Sequence, residues 1–334
     1  MKYIKICIKS LIVIGVITYM LSANVIIVPS PDIIFTKYTA IILLTICLAI
    51  VIHNFGWWLL LRSQKYNITY IKSLLIYCYG TFFNIVMPGG VGGDSARFLY
   101  LYRHVKPKEK HAALFTVIIS RILGFHALIT LCIIIGLFYL EKILNSNALL
   151  TIYIIILTVF ISLLLISIIY FLFSKYVLSY LGNIKNRKLK YVVNFIFLLA
   201  SNIQNYKSKV SYVFLCWIIS LLSHIIFIST FYIMSIQLNM NYIGFFENIV
   251  VGGLSYMSNS VPITPGGIGV GEASYNYFYN LFLDNPDYSN LAFGSIFFLA
   301  YRVLYTFICI LCGLSFIILG KPNTKFTNDG YTKL

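Results

Sequence analysis

The sequence predicts an all-α polytopic membrane protein, organised as an inverted-topology repeat with two Pro/Gly-broken re-entrant hairpins. Three observations lead there. Of the 334 residues, 60% are hydrophobic and 10% are charged, against about 25% charged in soluble domains; mean hydropathy is +0.89. Six apolar runs are long enough for a helix to cross the hydrocarbon core, which takes about 20 residues. Two further apolar stretches are interrupted at their centres by Pro and Gly. This composition excludes a soluble enzyme, a disordered chain and a small disulfide scaffold.

The first apolar run, 7–27, follows a basic N-terminus but lacks a clear small-residue cleavage site. It is long enough to span, so it reads as a retained first helix, with an outer loop to residue 37. The other spans lie at 38–61, 111–140, 150–173, 211–234 and 291–319. The broken stretches are 73–103 and 244–283. Between 174 and 210 the apolar segment Tyr191–Ala200, flanked by Lys190 and Lys207, is predicted to lie along the inner surface. Residues 320–334 form a tail.

Charge sets the sidedness. The chain carries 25 Lys and Arg against 9 Asp and Glu, a net +16. Segments 1–9, 62–72, 97–110, 174–210 and 320–334 hold 21 of the 25 basic residues. Segments 28–37 and 141–149 hold one each, and 235–243 and 284–290 none. By the positive-inside rule the first group, with both termini, is cytoplasmic and the second external. The expected partners of these basic segments are anionic lipid headgroups, not nucleic acid.

Since 62–72 and 97–110 share a face, the chain between them must enter the membrane and return. The same parity holds for 244–283 from the opposite face. The arm from Asp94 to Arg103 has ten residues, or about 15 Å of helix, which is half a bilayer. Re-entrant hairpins therefore fit better than pairs of full crossings. Repeat one (38–140) and repeat two (211–319) then have opposite orientation, a plan used by many transporters. Residues 141–210 link them.

The hairpin tips carry the candidate chemistry. One runs from Met87 through Pro88, Gly89, Gly90, Gly92, Gly93 and Asp94 to Arg97. The other runs from Pro262 through Pro265, Gly266, Gly267, Gly269 and Gly271 to Glu272. Proline removes a donor and glycine permits positive φ, so both tips break helix. Irregular backbone at membrane depth is tolerated only inside protein or beside a wet cavity. The returning arm of each hairpin starts a helix whose free amides could hold an anion. The plainer alternative is a pair of structural kinks. A P-loop or dinucleotide-binding reading fails, because no Gly-Lys-Ser/Thr is present and the glycines follow no strand.

Two arginines sit inside apolar spans. Arg121 lies ten residues into its span and Arg302 eleven, which places both about 15 Å deep, near the midplane. A midplane arginine by default marks a functional site. The alternative is structural, with Arg121 and Arg302 neutralising Asp94 and Glu272 in either pairing. His53 and His224 occupy corresponding early spans and could line a cavity or simply hydrogen-bond across helices. His126, five residues beyond Arg121, falls on roughly the opposite helix face and reads as structural; Glu247 reads as interfacial. The seven cysteines, Cys309-x-x-Cys312 included, lie in or beside apolar runs and suggest neither a disulfide framework nor a metal site.

The Pro-Gly-Gly-x-Gly-Gly-Asp-x-x-Arg tip at 88–97 and the Pro-x-Thr-Pro-Gly-Gly-Ile-Gly-x-Gly-Glu tip at 262–272 resemble those of the lysylphosphatidylglycerol synthase transmembrane region, or flippase-like domain, family. The resemblance covers residues from about 5 to 320. In the multiple peptide resistance factors of that family, this membrane domain moves aminoacylated phosphatidylglycerol between leaflets and precedes a soluble aminoacyl-transferase domain. This chain resembles the stand-alone members, which are similar to translocases or accessory proteins for lipids or lipid-linked sugars. With about fifteen residues after the last span, no synthase domain is expected here and no aminoacyl transfer is carried over. By position the family's glycine-rich tips fall on Pro88–Asp94 and Pro265–Glu272. The roles of Arg121, Arg302, Asp94 and Glu272 come instead from depth.

The function expected is a lipid translocase of the bacterial inner membrane, without cofactor, moving a phospholipid or polyprenyl-phosphate-linked substrate downhill or with a coupling ion. Its substrate-binding set is Gly89, Gly90, Gly92, Gly93, Asp94, Arg97, Arg121, Pro265, Gly266, Gly267, Gly269, Glu272 and Arg302. A secondary transporter of a small soluble anion is the first alternative, separable by whether the cavity opens laterally. A membrane-embedded transferase using a lipid-linked donor is the second. For it, the external acids Asp32, Glu141, Asp284 and Asp287 form no convincing cluster in the sequence.

Overall fold

The structure is a computed structural model describing residues 36–84, 91–105, 110–182, 206–239, 242–261, 264, 267–283 and 293–319. The first span (7–27), Tyr191–Ala200, the tail, and the tip residues Gly89, Gly90, Pro265 and Gly266 lie outside the described residues. Within them the chain is helical: α1 (Thr39–Ser63), α2 (Tyr70–Phe83), α3 (Val91–His104), α4 (Lys110–Phe138), α5 (Leu140–Leu144), α6 (Asn147–Gly182), α7 (Val210–Gln237), α8 (Phe245–Asn259), α9 (Val270–Phe282), α10 (Phe293–Cys312) and α11 (Ser315–Leu319). Five stretches are long and apolar enough to cross a membrane: Thr39–Ser63, Ala112–Phe138, Asn147–Ile169, Lys207–Gln237 and Phe293–Leu319. Each coincides with an expected span, and the protein is an all-α polytopic membrane protein.

Each of the two broken stretches contains a pair of short helices. The helices α2, α3, α8 and α9 have 14, 14, 15 and 13 residues, about 20 Å each against a core of roughly 30 Å. None can cross alone. α2 packs on α3, and α8 on α9.

Local chemistry sets the ends. The Thr69 hydroxyl caps α2 by accepting from Lys72 N at 3.3 Å. Glu247 caps α8 by accepting from Gly244 N at 2.7 Å, satisfying an amide the helix leaves open. Lys65 (φ 64°) and Asn239 (φ 52°) take left-handed backbone just past α1 and α7, a common way of stopping a helix. Hydroxyls within spans donate to carbonyls one turn back, as Thr130 does to His126 O and Ser220 to Cys216 O, both at 2.8 Å. These hydroxyls thereby keep their donors satisfied within the helix.

α1 and α7 form the central pair, with Gly56 letting the helices close against Cys216 and Ser223 Oγ donating to Ala49 O at 3.2 Å. Around it lie two main cores. The larger joins α1, α4 and α7 to the second hairpin and α10, with Phe231, Tyr275, Phe297 and Phe298 at its centre. The smaller packs Trp57, Leu61, Ile76, Tyr100 and Val117 around the first hairpin. α6 is peripheral: only 6% of its span is buried, against 50% for α4. On the face carrying α5, Lys142 Nζ donates to Phe282 O at the end of α9 (2.6 Å) and pairs with Glu247 on α8 (3.4 Å).

Three boundaries differ from the sequence reading. The span expected at 150–173 is helical through Gly182, because a single Lys175 does not stop a helix. The segment 141–149 contains the short helix α5. Gly313 divides the last span into α10 and α11.

Sidedness is testable at exposed helix ends. Cysteines at Asn145 and Asn239, in a background without native cysteines, are expected to react with an impermeant maleimide from outside. One at Lys65 should react only from inside; the nearby Ser63 is buried and would not report. External labelling of Lys65→Cys would overturn the positive-inside assignment.

Candidate functional site

Asp94 lies in the first turn of α3, where an acid suits the positive helix end. Its carboxylate accepts from Arg97 one turn on and from Arg121 of α4. Arg97, which the sequence reading also counted among the cytoplasmic loop charges, is instead buried. Its guanidinium sits over the rings of Trp57 (5.3 Å) and Tyr77 (4.7 Å), and its Nη1 is buried with no hydrogen-bond partner. Two aromatic faces and a carboxylate compensate a cation that membrane burial would otherwise make expensive.

The second hairpin repeats the arrangement more tightly. Glu272, in the first turn of α9, accepts from Gly269 N at 2.8 Å and from Arg302, whose Nη2 lies 3.1 Å from Oε2. The same Nη2 donates to Gly267 O at 3.0 Å. Gly267 (φ 71°) and Gly269 (φ 86°) hold the left-handed backbone that turns this tip. Each arginine thus pairs with the acid of its own hairpin, not the opposite one.

Two asparagines absent from the sequence reading complete the pattern. Asn84, following α2, accepts from Gly93 N at 2.8 Å. Asn259, closing α8, accepts from Arg302 Nη2 at 3.3 Å. A Cβ on Gly93 would lie 2.4 Å from Asn84 Oδ1, and one on Gly267 would lie 1.9 Å from Asn259 Oδ1. In each hairpin, an asparagine ending the entering helix thus packs on a glycine of the tip or returning arm. An asparagine shortly ahead of each Pro-Gly-Gly was the available signal. Gly93 N and Gly269 N are both partnered within the protein, so neither amide is open to an anion as it stands. Gly92 is buried in the first turn of α3.

Both clusters open on one cavity of about 680 Å³, lined by Asn84, Asp94, Arg97 and Arg121 from one side and by Asn259 and Arg302 from the other. Three guanidiniums against two carboxylates leave the cluster with an excess of positive charge. His53 and His224 line it too, with ring centroids 5.9 Å apart. Ser223 Oγ lies 3.3 Å from His53 Nδ1, and His224 Nε2 lies 3.0 Å from Gly124 O. His126 accepts from Trp217 Nε1 at 3.1 Å and packs on Phe160, apart from the cavity lining.

Burial distinguishes the two ion pairs. The Arg121 side chain is 43% exposed, whereas that of Arg302 is 16% and that of Glu272 1%. Three of the apolar side chains lining the cavity are exposed: Ile122 and Phe125, on the same helix as Arg121, and Val261, just past α8. Among the described residues, no three His, Cys, Asp or Glu side chains come together as a metal site.

A Gly267→Val variant tests the tip. Left-handed backbone costs an L-residue roughly 1–2 kcal/mol, and the added carbons collide with Asn259. A lower melting temperature in detergent is the expected result. An unchanged one would show that the tip tolerates a side chain.

These features define a multi-pass membrane protein with paired, acid-bound arginines around a cavity inside the helix bundle. Over residues 7–313 the sequence matches the family described as lysylphosphatidylglycerol synthase TM region. The chain belongs to that family, and membership supports a role connected with membrane lipids. No curated protein and no solved structure matches the chain.

Proposed function

We propose that the protein is a lipid translocase of the bacterial inner membrane. Its cargo is a phosphate-bearing lipid or lipid-linked glycan, its termini are cytoplasmic, and its two hairpins are halves of an inverted repeat. The headgroup enters the cavity while its chains stay in hydrocarbon. Arg121 and Arg97 supply donors to the phosphate, and Asp94 competes for them when the site is empty, which keeps binding reversible. Rocking one half against the other provides alternating access, downhill or with a coupling ion.

The observation that carries this reading is a half-exposed arginine in the middle of a membrane-length helix, in a cavity whose lining includes exposed apolar side chains. A cavity for a soluble anion has no need of an exposed apolar lining. That alternative remains the second reading, because inverted repeats also serve small anions.

The test uses protein reconstituted in vesicles containing phosphatidylglycerol with a fluorophore on its acyl chain. External dithionite bleaches only the outer leaflet of empty vesicles. With the protein present, the inner-leaflet signal is expected to be lost as well. Uptake of glycerol phosphate without any lipid movement would favour the soluble-anion reading.

A further inference from the structure

A second cavity, of about 240 Å³, lies between α3 and α4. Its walls are Ser95 and Phe98 of α3 and Leu114, Val117 and Ile118 of α4. At one end lie Asp94, Arg121 and Ile122, which it shares with the polar cavity. The groove is therefore apolar along its length and cationic at one end. From Leu114 to Arg121 it follows α4 for seven residues, about 10 Å.

We infer that this groove seats the first part of a hydrocarbon chain of the same lipid whose phosphate is held at Arg121. The assignment rests on the headgroup reading above and adds where the chain goes. Three features favour that occupant. The groove lies beside the N-terminal half of a helix long and apolar enough to cross a membrane, whose expected surroundings are hydrocarbon. It offers a soluble anion nothing beyond the charged end. That charged end is the most exposed guanidinium of the site.

The geometry also fixes the lipid's orientation. The groove runs from Arg121, near the midplane, toward the end of α3 and the start of α4. A lipid belonging to the leaflet on that side has its headgroup near those helix ends and its chain end near the midplane. A lipid with phosphate at Arg121 and chain in the groove points the other way. It has the orientation of the opposite leaflet, so the turnover of the molecule takes place with the headgroup at the midplane.

Two phosphatidylglycerols in phosphatidylcholine vesicles test this, one with a diazirine near the ester and one with it midway along the chain. Adducts on the full-length protein are located by peptide mass spectrometry. The mid-chain probe is expected to mark Phe98 and Leu114, and the near-ester probe Ile118 and Ile122. Both yields should fall about tenfold in Arg121→Gln, the loss of one charge-assisted hydrogen bond. The double variant Asp94→Asn with Arg121→Gln serves where the single one folds poorly.

The reverse order of marking, insensitive to Arg121, would mean an annular lipid of the near leaflet and would overturn the inference. Absence of adducts in the groove would overturn it too, since another segment then covers the groove. Phosphatidylglycerol retained through purification separates the two levels. If Arg121→Gln abolishes retention while the groove is unmarked, the headgroup reading stands and the chain assignment falls. If retention is unchanged, the headgroup reading falls.

Discussion

An Arg302→Gln variant is expected to lose about 3–5 kcal/mol of stability, the usual penalty for breaking a buried ion pair from one side. Glu272 is fully buried, and Arg302 is its only charged partner among the described salt bridges. Glutamine keeps a donor but leaves a carboxylate charge in a water-poor interior. Asn259 and Gly267 O would lose their contacts with Nη2 as well. Thermal unfolding in detergent measures the loss. Pairing the change with Glu272→Gln should recover much of it, because that glutamine can still accept from Gly269 N. A double variant no more stable than the single would show that Arg302 acts through its packing on Phe298 instead.

Arg121→Gln should behave in the opposite way. Asp94 keeps Arg97 as a partner, and Arg121 is the exposed member of the pair, so the fold should change little. Lipid movement in vesicles should fall roughly 10–100-fold, the equivalent of losing one hydrogen bond between a cation and a phosphate. Full activity in a well-folded Arg121→Gln protein would remove this arginine from the site. Both arginines line the cavity, but their unequal burial makes Arg302 the one expected to matter more to stability and Arg121 the one expected to matter more to transport.

Much of this was legible from residue types alone. Spans announce themselves by length and apolarity, and all five that fall within the described residues were placed to within a few residues at most ends. The arginines were recognisable because charge is rare in such segments. What escaped was set by contacts distant in sequence. The choice between the two acids for each arginine depends on how each hairpin leans on the span that follows it, and no spacing encodes that. Arg97 looked like a loop charge because the rings enclosing it come from α1 and α2, 40 and 20 residues earlier. Asn84 and Asn259 were overlooked because a lone asparagine at a helix end ordinarily reports only termination. The unequal burial of two like ion pairs follows from the larger core lying around the second hairpin.

The Lys142 clasp bears on kinetics. Its ammonium ties the short helix after α4 to the start of α8 and the end of α9. Any passage that parts these elements on that side has to break both contacts first. They then act as a latch on the opening rate, whatever is being carried. A charged hydrogen bond is worth about 1.5–3 kcal/mol. Lys142→Met, which keeps the stem and removes the donors, should therefore speed opening by roughly 10–100-fold. An exposed-cysteine reporter beside Phe282 would register that as faster modification, and an unchanged rate would mean that this end of the bundle stays shut throughout the cycle.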